Sequence, residues 1–199
     1  MSRTETVRLS PEDWDEQHRR AAACPVNPGE LEVFRELTGF RAGDRVADLG
    51  CGTGEWTHVL ADAGAEVTGF DFSPYALVMA HRDRSGRYAE WDIEAAPLPR
   101  DLRPGSMDIV TFRDSLQWLP VYRLLHDVHR VLRPGGALHI QDNPRTNHPS
   151  AQGPDETRDV RFGQRLAATD VTAVRTLQGW RTPRLVRTGD AVTLVLHRD

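Results

Sequence analysis

Val46-Ala47-Asp48-Leu49-Gly50-Cys51-Gly52-Thr53-Gly54-Glu55 is the stretch that decides the fold. Its first half, from Arg45 to Leu49, is a short apolar run of strand length. Its second half places glycines at alternate positions, which lets a backbone turn sharply and leaves no side chain between backbone and a ligand. From Glu55 to Ala63 the pattern becomes helical, so the unpaired N–H groups of a helix start face the crevice and favour a carboxylate or phosphate. A glycine loop alone is equally a tight strand-to-helix turn. The dinucleotide fingerprint spaces its glycines G-x-G-x-x-G. Here the spacing is G-x-G-x-G, with Asp48 two residues before the first glycine.

Outward from this loop, short apolar runs alternate with helical segments. A second strand is expected over Glu66–Phe70, a helix over Ser73–His81, a weaker third strand over Arg87–Trp91 and a fourth over Met107–Phe112. Val121 to Leu132 reads as a helix ended by Arg133-Pro134-Gly135-Gly136, and Ala137–Gln141 as a fifth strand. Strand–helix alternation requires crossovers and gives a parallel sheet. The last third differs. Asp155–Ala168 reads as a helix, and Val174–Val186 and Ala191–His197 as two strands around Thr188-Gly189-Asp190, an antiparallel hairpin closing the sheet. Before the loop, Ser10-Pro11-Glu12-Asp13 is a capped helix start, with the helix running to about Ala23. Glu30–Thr38 is a second helix, with Leu31, Phe34 and Leu37 on one face and Gly39 as its stop. The fold expected is α/β, a Rossmann-like three-layer sandwich on a mostly parallel seven-stranded sheet with a C-terminal antiparallel hairpin. It forms a single domain over residues 1–199: an N-terminal helical cap (1–40), a core (41–142), and a loop, helix and hairpin (143–199).

Composition narrows the class of function. The 199 residues suffice for one self-sufficient core, and 39% hydrophobic with 27% charged residues is ordinary for a soluble domain. A net charge of −4 argues against a nucleic-acid partner. All 25 basic residues counted as Lys or Arg are Arg, which removes lysine as a base or Schiff-base former. Cys24 and Cys51 are too few for a disulfide scaffold, no His and acid cluster has metal-site spacing, and no apolar run approaches a membrane span. The expectation is a cytoplasmic chain, monomer or homodimer, without a metal or a membrane partner.

Three acids end consecutive expected strands: Asp48, Asp71 (17 residues beyond Gly54) and Asp92. Each alone reads as a strand-end charge, but open α/β sheets bind ligands at the carboxyl ends of their strands. Asp71 suits a ribose, Phe72 an adenine face, and Asp92 beside Ile93 an adenine edge. With these residues the chain resembles the class I S-adenosylmethionine (SAM)-dependent methyltransferases. The resemblance rests on Val46–Gly54, Asp71-Phe72-Ser73, Asp92, Met107-Asp108-Ile109-Val110, Leu116-Gln117-Trp118-Leu119 and Arg130-Val131-Leu132-Arg133-Pro134-Gly135-Gly136, and covers roughly residues 30–142. Ser115-Leu116-Gln117-Trp118-Leu119 is similar to the branch acting on small molecules.

The resemblance implies that Asp48, Gly50, Gly52 and Gly54 handle the methionine part of SAM and that Asp71 holds the ribose. Phe72 and Ile93 would sandwich the adenine, Asp92 would accept its amine, and the segment containing Arg113 would close over the sulfonium. Arg113-Asp114 departs from the small or neutral residues usual there. Methyl transfer is an in-line displacement on an already activated carbon, so alignment and water exclusion are the protein's task and a base is optional. Candidate bases are His148, in the long loop after the fifth strand, and Asp114; the plainer readings are a solvated loop histidine and a helix-start acid. Trp14, His18, Arg113 and Trp118 are candidate acceptor contacts, Arg113 as a carboxylate clamp or, more plainly, an ion pair. His58, His81, His126 and His129 read as structural or exposed. The function expected is methyl transfer from SAM to an O, N or C atom of a small-molecule acceptor. A non-methylating or inactive SAM-binding chain stands as the alternative; a nicotinamide oxidoreductase is disfavoured by glycine spacing and the closing hairpin.

Overall fold

A computed structural model describes residues 10–20, 24–83, 86–93, 95–116, 121–142, 179–181, 183–188 and 191–199. Its elements are α1 (Pro11–Arg20), α2 (Glu30–Thr38), β1 (Arg45–Leu49), α3 (Glu55–Asp62), β2 (Glu66–Asp71), α4 (Pro74–Asp83) and β3 (Arg87–Glu90). They continue with β4 (Met107–Arg113), α5 (Val121–Val131), β5 (Leu132–Asp142), β6 (Arg184–Thr188) and β7 (Ala191–His197).

Local chemistry explains the helix ends. Ser10 Oγ accepts the Asp13 amide at 3.2 Å while Asp13 Oδ2 accepts the Ser10 amide at 2.9 Å, a reciprocal box that starts α1. Gly39 stops α2 in the left-handed region (φ 76°), its amide donating to the Arg35 carbonyl.

The seven strands lie in the order β3-β2-β1-β4-β5-β7-β6. The first five run parallel, and β7 is antiparallel to both β5 and β6. The hairpin thus folds its last strand between β5 and β6. The sheet's two faces bury different sets. Phe34, Leu37, Trp56 and Leu60 pack with Val46, Val67 and Ile109, whereas Leu124, Leu125 and Val128 pack with Leu49, Phe70, Phe112 and Leu138. Adjacent strand residues such as Ile109 and Val110 fall in opposite clusters, the period-two signature of a sheet covered on both sides.

Two expectations change. Arg133-Pro134-Gly135-Gly136 was expected as a turn before the fifth strand, but β5 already begins at Leu132. Leu132 pairs with Met107 and Ala137 with Ile109, so the extra residues form an irregularity within the ladder. Asp108 stabilises it, accepting from Arg133 Nε at 2.5 Å and the Arg45 amide at 2.8 Å. The strand expected from Val174 is found over Arg184–Thr188: Gly179 and Arg181 lie in no strand and Trp180 makes only an isolated bridge to Arg198, while residues 174–178 lie outside the described set. The expected helix 155–168 lies outside it as well.

Candidate active site

The loop Gly50–Gly54 sits where β1 ends beside β2 and β4. The amides of Gly50 and Cys51 both donate to the Phe70 carbonyl, at 2.8 and 3.0 Å, tying the loop to the end of β2. All three glycines have positive φ (73°, 54° and 89°), a conformation that strains residues with a Cβ. Their surroundings differ, however. A Cβ on Gly50 would lie 2.5 Å from Ser115 Cβ, and one on Gly54 would lie 2.8 Å from the Tyr88 hydroxyl, so these two are close-packing positions against protein. Gly52 alone faces the cap, with His18 Cε1 at 3.2 Å from such a Cβ. Gly50 and Gly54 are thus packed against protein, while at Gly52 a Cβ would press on His18 of the cap. Gly54 caps α3 with no side-chain bond to the helix start.

The three strand-end acids have distinct environments. Asp71 is buried at the end of β2; its Oδ2 accepts the Gly52 amide at 2.8 Å and its Oδ1 the Ser73 amide at 2.9 Å. A carboxylate has about four acceptor sites, so two amides leave it room for hydroxyl donors. Asp48 lies beneath the loop, 1% exposed, and accepts the Thr57 hydroxyl at 2.6 Å. Burial pushes its carboxyl up to about 7 against the pull of Thr57. Asp92 is half-buried, and its Oδ1 accepts the Ala95 amide at 3.1 Å, organising the turn after β3. Ile93 is buried in the core beside Trp91 and Phe70, while Phe72 is half-buried.

Helix α1 covers this region. Asp15 Oδ1 accepts from Ser73 Oγ at 2.6 Å and from the Tyr75 amide at 3.1 Å, pinning α1 to the start of α4. Arg19 stacks 4.9 Å above the Tyr75 ring. Trp14 and His18 are neighbours on α1, with ring centroids 6.0 Å apart.

The other end of the crevice, at β4 and β5, is built from polar side chains. Ser115 donates to the Leu49 carbonyl at 2.7 Å, closing the β4 end against β1. Arg113 does not face outward as a clamp. Its Nε donates to Glu30 Oε2 at 2.8 Å, Nη2 to the Pro25 carbonyl at 2.9 Å and to Glu30 Oε1 at 3.3 Å, and Nη1 to the Cys24 carbonyl at 3.3 Å. The Arg113 and Glu30 side chains are only 6% and 10% exposed. Burial opposes the guanidinium charge, but Glu30 outweighs it and raises the Arg113 pKa. Arg113 as a cofactor or acceptor ligand is therefore corrected to a buried ion-pair partner. Asp114 follows with φ 55°, the only positive value among the described non-glycine residues. Its amide donates to the Gln141 carbonyl at 2.9 Å, and the Cys24 thiol reaches its Oδ2 at 3.4 Å.

Glu30, Gln141 and His139 escaped the sequence reading. Glu30 entered the sequence reading only as the first residue of the second helix, and nothing local announces its pairing with Arg113, 83 positions away. Gln141 donates to Glu30 Oε2 at 2.8 Å. His139, in mid-strand β5, approaches Thr111 Oγ1 at 2.9 Å through Nδ1. Its other nitrogen is buried with no hydrogen-bond partner, and burial pushes its pKa down to about 3, so it is neutral. A polar residue in an apolar strand was the available signal. His58, His81 and His129 bond to the carbonyls of Ala80, Leu77 and Gly179, the structural role expected of them. Trp118, His148 and the loop Asn143–Pro154 lie outside the described residues. Among the described residues, no group of three or more His, Cys, Asp or Glu is arranged to hold a metal ion, and no helix is long and apolar enough to cross a membrane.

Residues 47–140 match a family model described as a methyltransferase domain. The ubiquinone biosynthesis O-methyltransferase of Pseudomonas aeruginosa (strain LESB58) is 30% identical over 130 residues, 64% of this chain and 56% of that protein. The protein of the same name from Bordetella avium is 34% identical over 127 residues, 63% of this chain and 50% of that one. The chain thus spans about half the length of the curated relatives it matches. A SAM-dependent methyltransferase of Mesorhizobium loti has the same fold, with a TM-score of 0.65 at 21% identity over 86% of this chain and 99% of that one.

Proposed function

We propose, for a chain that belongs to the class I SAM-dependent methyltransferases, that it transfers the methyl group of SAM to an O, N or C atom of a small-molecule acceptor in the cytoplasm. The observation that carries the reading is the junction of Asp71 and Gly52: a buried carboxylate, with acceptor capacity left, bonded to the amide of the one loop glycine whose missing Cβ faces the cap. A cofactor with a ribose and a carboxylate end fits these donors and acceptors. Asp71 would hold the ribose hydroxyls, Phe72 and Ile93 the adenine, Asp92 its amine, and the Gly50–Gly54 loop the methionine end.

When bound, SAM supplies a methyl carbon activated by a positively charged sulfur. The chain's own residues then align the acceptor and exclude water, and alignment contributes on the order of 7–11 kcal/mol to such reactions. Helix α1 serves as the cover, with Trp14 and His18 towards the crevice. Asp114 lines the acceptor side and takes the acceptor's proton where the acceptor does not arrive ionised; His148 and Trp118 are further candidates there. Residues 1–40 act as cap, 41–142 as cofactor-binding core and 143–199 as the acceptor-side segment and closing strands.

Binding and turnover test this together. Calorimetry should show SAM and its demethylated product binding while NAD and NADP do not, and labelled methyl should pass from SAM to a member of a phenol, amine and carboxylate panel. Binding of NAD in preference to SAM would end the reading.

A further inference from the structure

We propose that Glu30 is a positioning residue that fixes Asp114 without touching it, holding the acceptor-side wall from two directions; this rests on the placement of Asp114 at the acceptor side. The Glu30 carboxylate gathers donors from three parts of the chain. Oε1 accepts the Asn27 amide at 2.8 Å and Asn27 Nδ2 at 2.9 Å; Oε2 accepts Arg113 Nε and Gln141 Nε2, both at 2.8 Å. One route to Asp114 runs through β5, since Gln141, gripped by Glu30 at its side chain, uses its own carbonyl to accept the Asp114 amide at 2.9 Å. The other runs through Arg113. Anchored by Glu30, its guanidinium holds the Cys24 and Pro25 carbonyls, and the Cys24 thiol lies 3.4 Å from Asp114 Oδ2. The two routes meet on the one described non-glycine residue held at positive φ. Such a conformation persists only where its surroundings over-determine it. A backbone bond to Gln141 and side-chain contacts to Cys24 and Arg113, all traced to one buried carboxylate, supply that determination.

The charges agree with a holding role. Arg113 neutralises Glu30, its Nη1 also lies 3.8 Å from Asp114 Oδ2, and five hydrogen bonds satisfy the Glu30 carboxylate.

Cys24 is a built-in reporter of this wall. It is partly exposed, and burial pushes its thiol up to about 11, whereas Cys51 is buried. Alkylation by iodoacetamide, followed residue by residue with mass spectrometry, therefore reads the local state of the 24–27 segment, with Cys51 as the control for global opening. In Glu30→Gln, Cys24 should label at least tenfold faster at pH 8, and the midpoint of its labelling pH profile should fall towards that of an ordinary thiol, about 8.5. Cys51 should accelerate by a smaller factor than Cys24, and SAM affinity should stay within fivefold. Gln141→Leu, which cuts one route only, should give a smaller acceleration. Unchanged Cys24 labelling in Glu30→Gln overturns the proposal. So does equal acceleration at Cys51 in both variants, which would make Glu30 a general stabiliser. SAM titration of the wild-type protein separates the two readings: absent SAM binding defeats the proposed function, while altered labelling alone bears on Glu30.

Discussion

The two ends of the crevice are built by different means. At β1 and β2 the contacts are short in sequence or made by backbone: Asp71 to Gly52 and Ser73, Gly50 and Cys51 to Phe70, Thr57 to Asp48. At β4 and β5 they are long-range and made by charged side chains: Arg113 to Glu30, Gln141 to Glu30, Cys24 to Asp114. A cofactor end made of backbone tolerates change around it, because its geometry follows from the strand–turn–helix unit. An acceptor end held by one buried ion pair is retuned by altering one residue, but breaking that pair is costly.

The largest effect expected falls on the backbone end. Gly52→Val adds a branched side chain at φ 54° towards His18 and should abolish calorimetrically detectable SAM binding while leaving most of the helical circular dichroism. Retained affinity would mean that the ligand does not approach this loop. Next comes the ion pair. Glu30→Gln leaves Arg113 with Asp114, 3.8 Å away, as its remaining counter-charge and should cost less than the roughly 3–5 kcal/mol of a buried pair broken outright. Replacing both partners, Glu30→Gln with Arg113→Met, should cost less than the two single losses added together. A denaturant-unfolding double-mutant cycle checks this, and strict additivity would show that the two side chains do not act as a unit.

A smaller effect concerns pH. The Asp48 carboxyl is raised from about 3.9 unfolded to about 7 folded, so between these values the folded state binds the extra proton. Its contribution to stability is complete below about pH 4 and is lost as the pH rises through 7. Asp48→Asn removes this slope, so the variant should gain on the wild type by a few kcal/mol between pH 4 and 7.5 in thermal or denaturant melts. Parallel stability curves for the two proteins would place Asp48 in a wetter setting. His139 acts oppositely: neutral when folded, its contribution is present above about pH 6.5 and is lost as the pH falls towards 3.

The same contrast explains what was legible in the sequence. Strand and helix positions over residues 10–131 followed from apolar runs, the Ser10 cap and Gly39, because period and capping are local signals. Asp71 was legible for the same reason: its place at the end of a strand after a glycine loop is a matter of spacing. Arg113 was not. An arginine after a strand is equally a ligand clamp or an ion-pair partner, and only the return of Glu30 to the β4 end decides between them. The strand start at Leu132 was hidden too, because Pro134-Gly135-Gly136 has the composition of a turn whether it leaves the ladder or bulges within it.

The central claim is that the cofactor belongs to the ends of β1–β3 and the acceptor to the ends of β4 and β5. Titrating SAM into Asp71→Ala and Asp114→Asn in one calorimetric series tests it most directly. Asp71→Ala should weaken SAM by about 1–3 kcal/mol, the scale for removing hydrogen bonds to a charged group, while Asp114→Asn should stay within about 1 kcal/mol of wild type because it removes no contact to the cofactor. Wild-type affinity in Asp71→Ala with a large loss in Asp114→Asn would contradict the account.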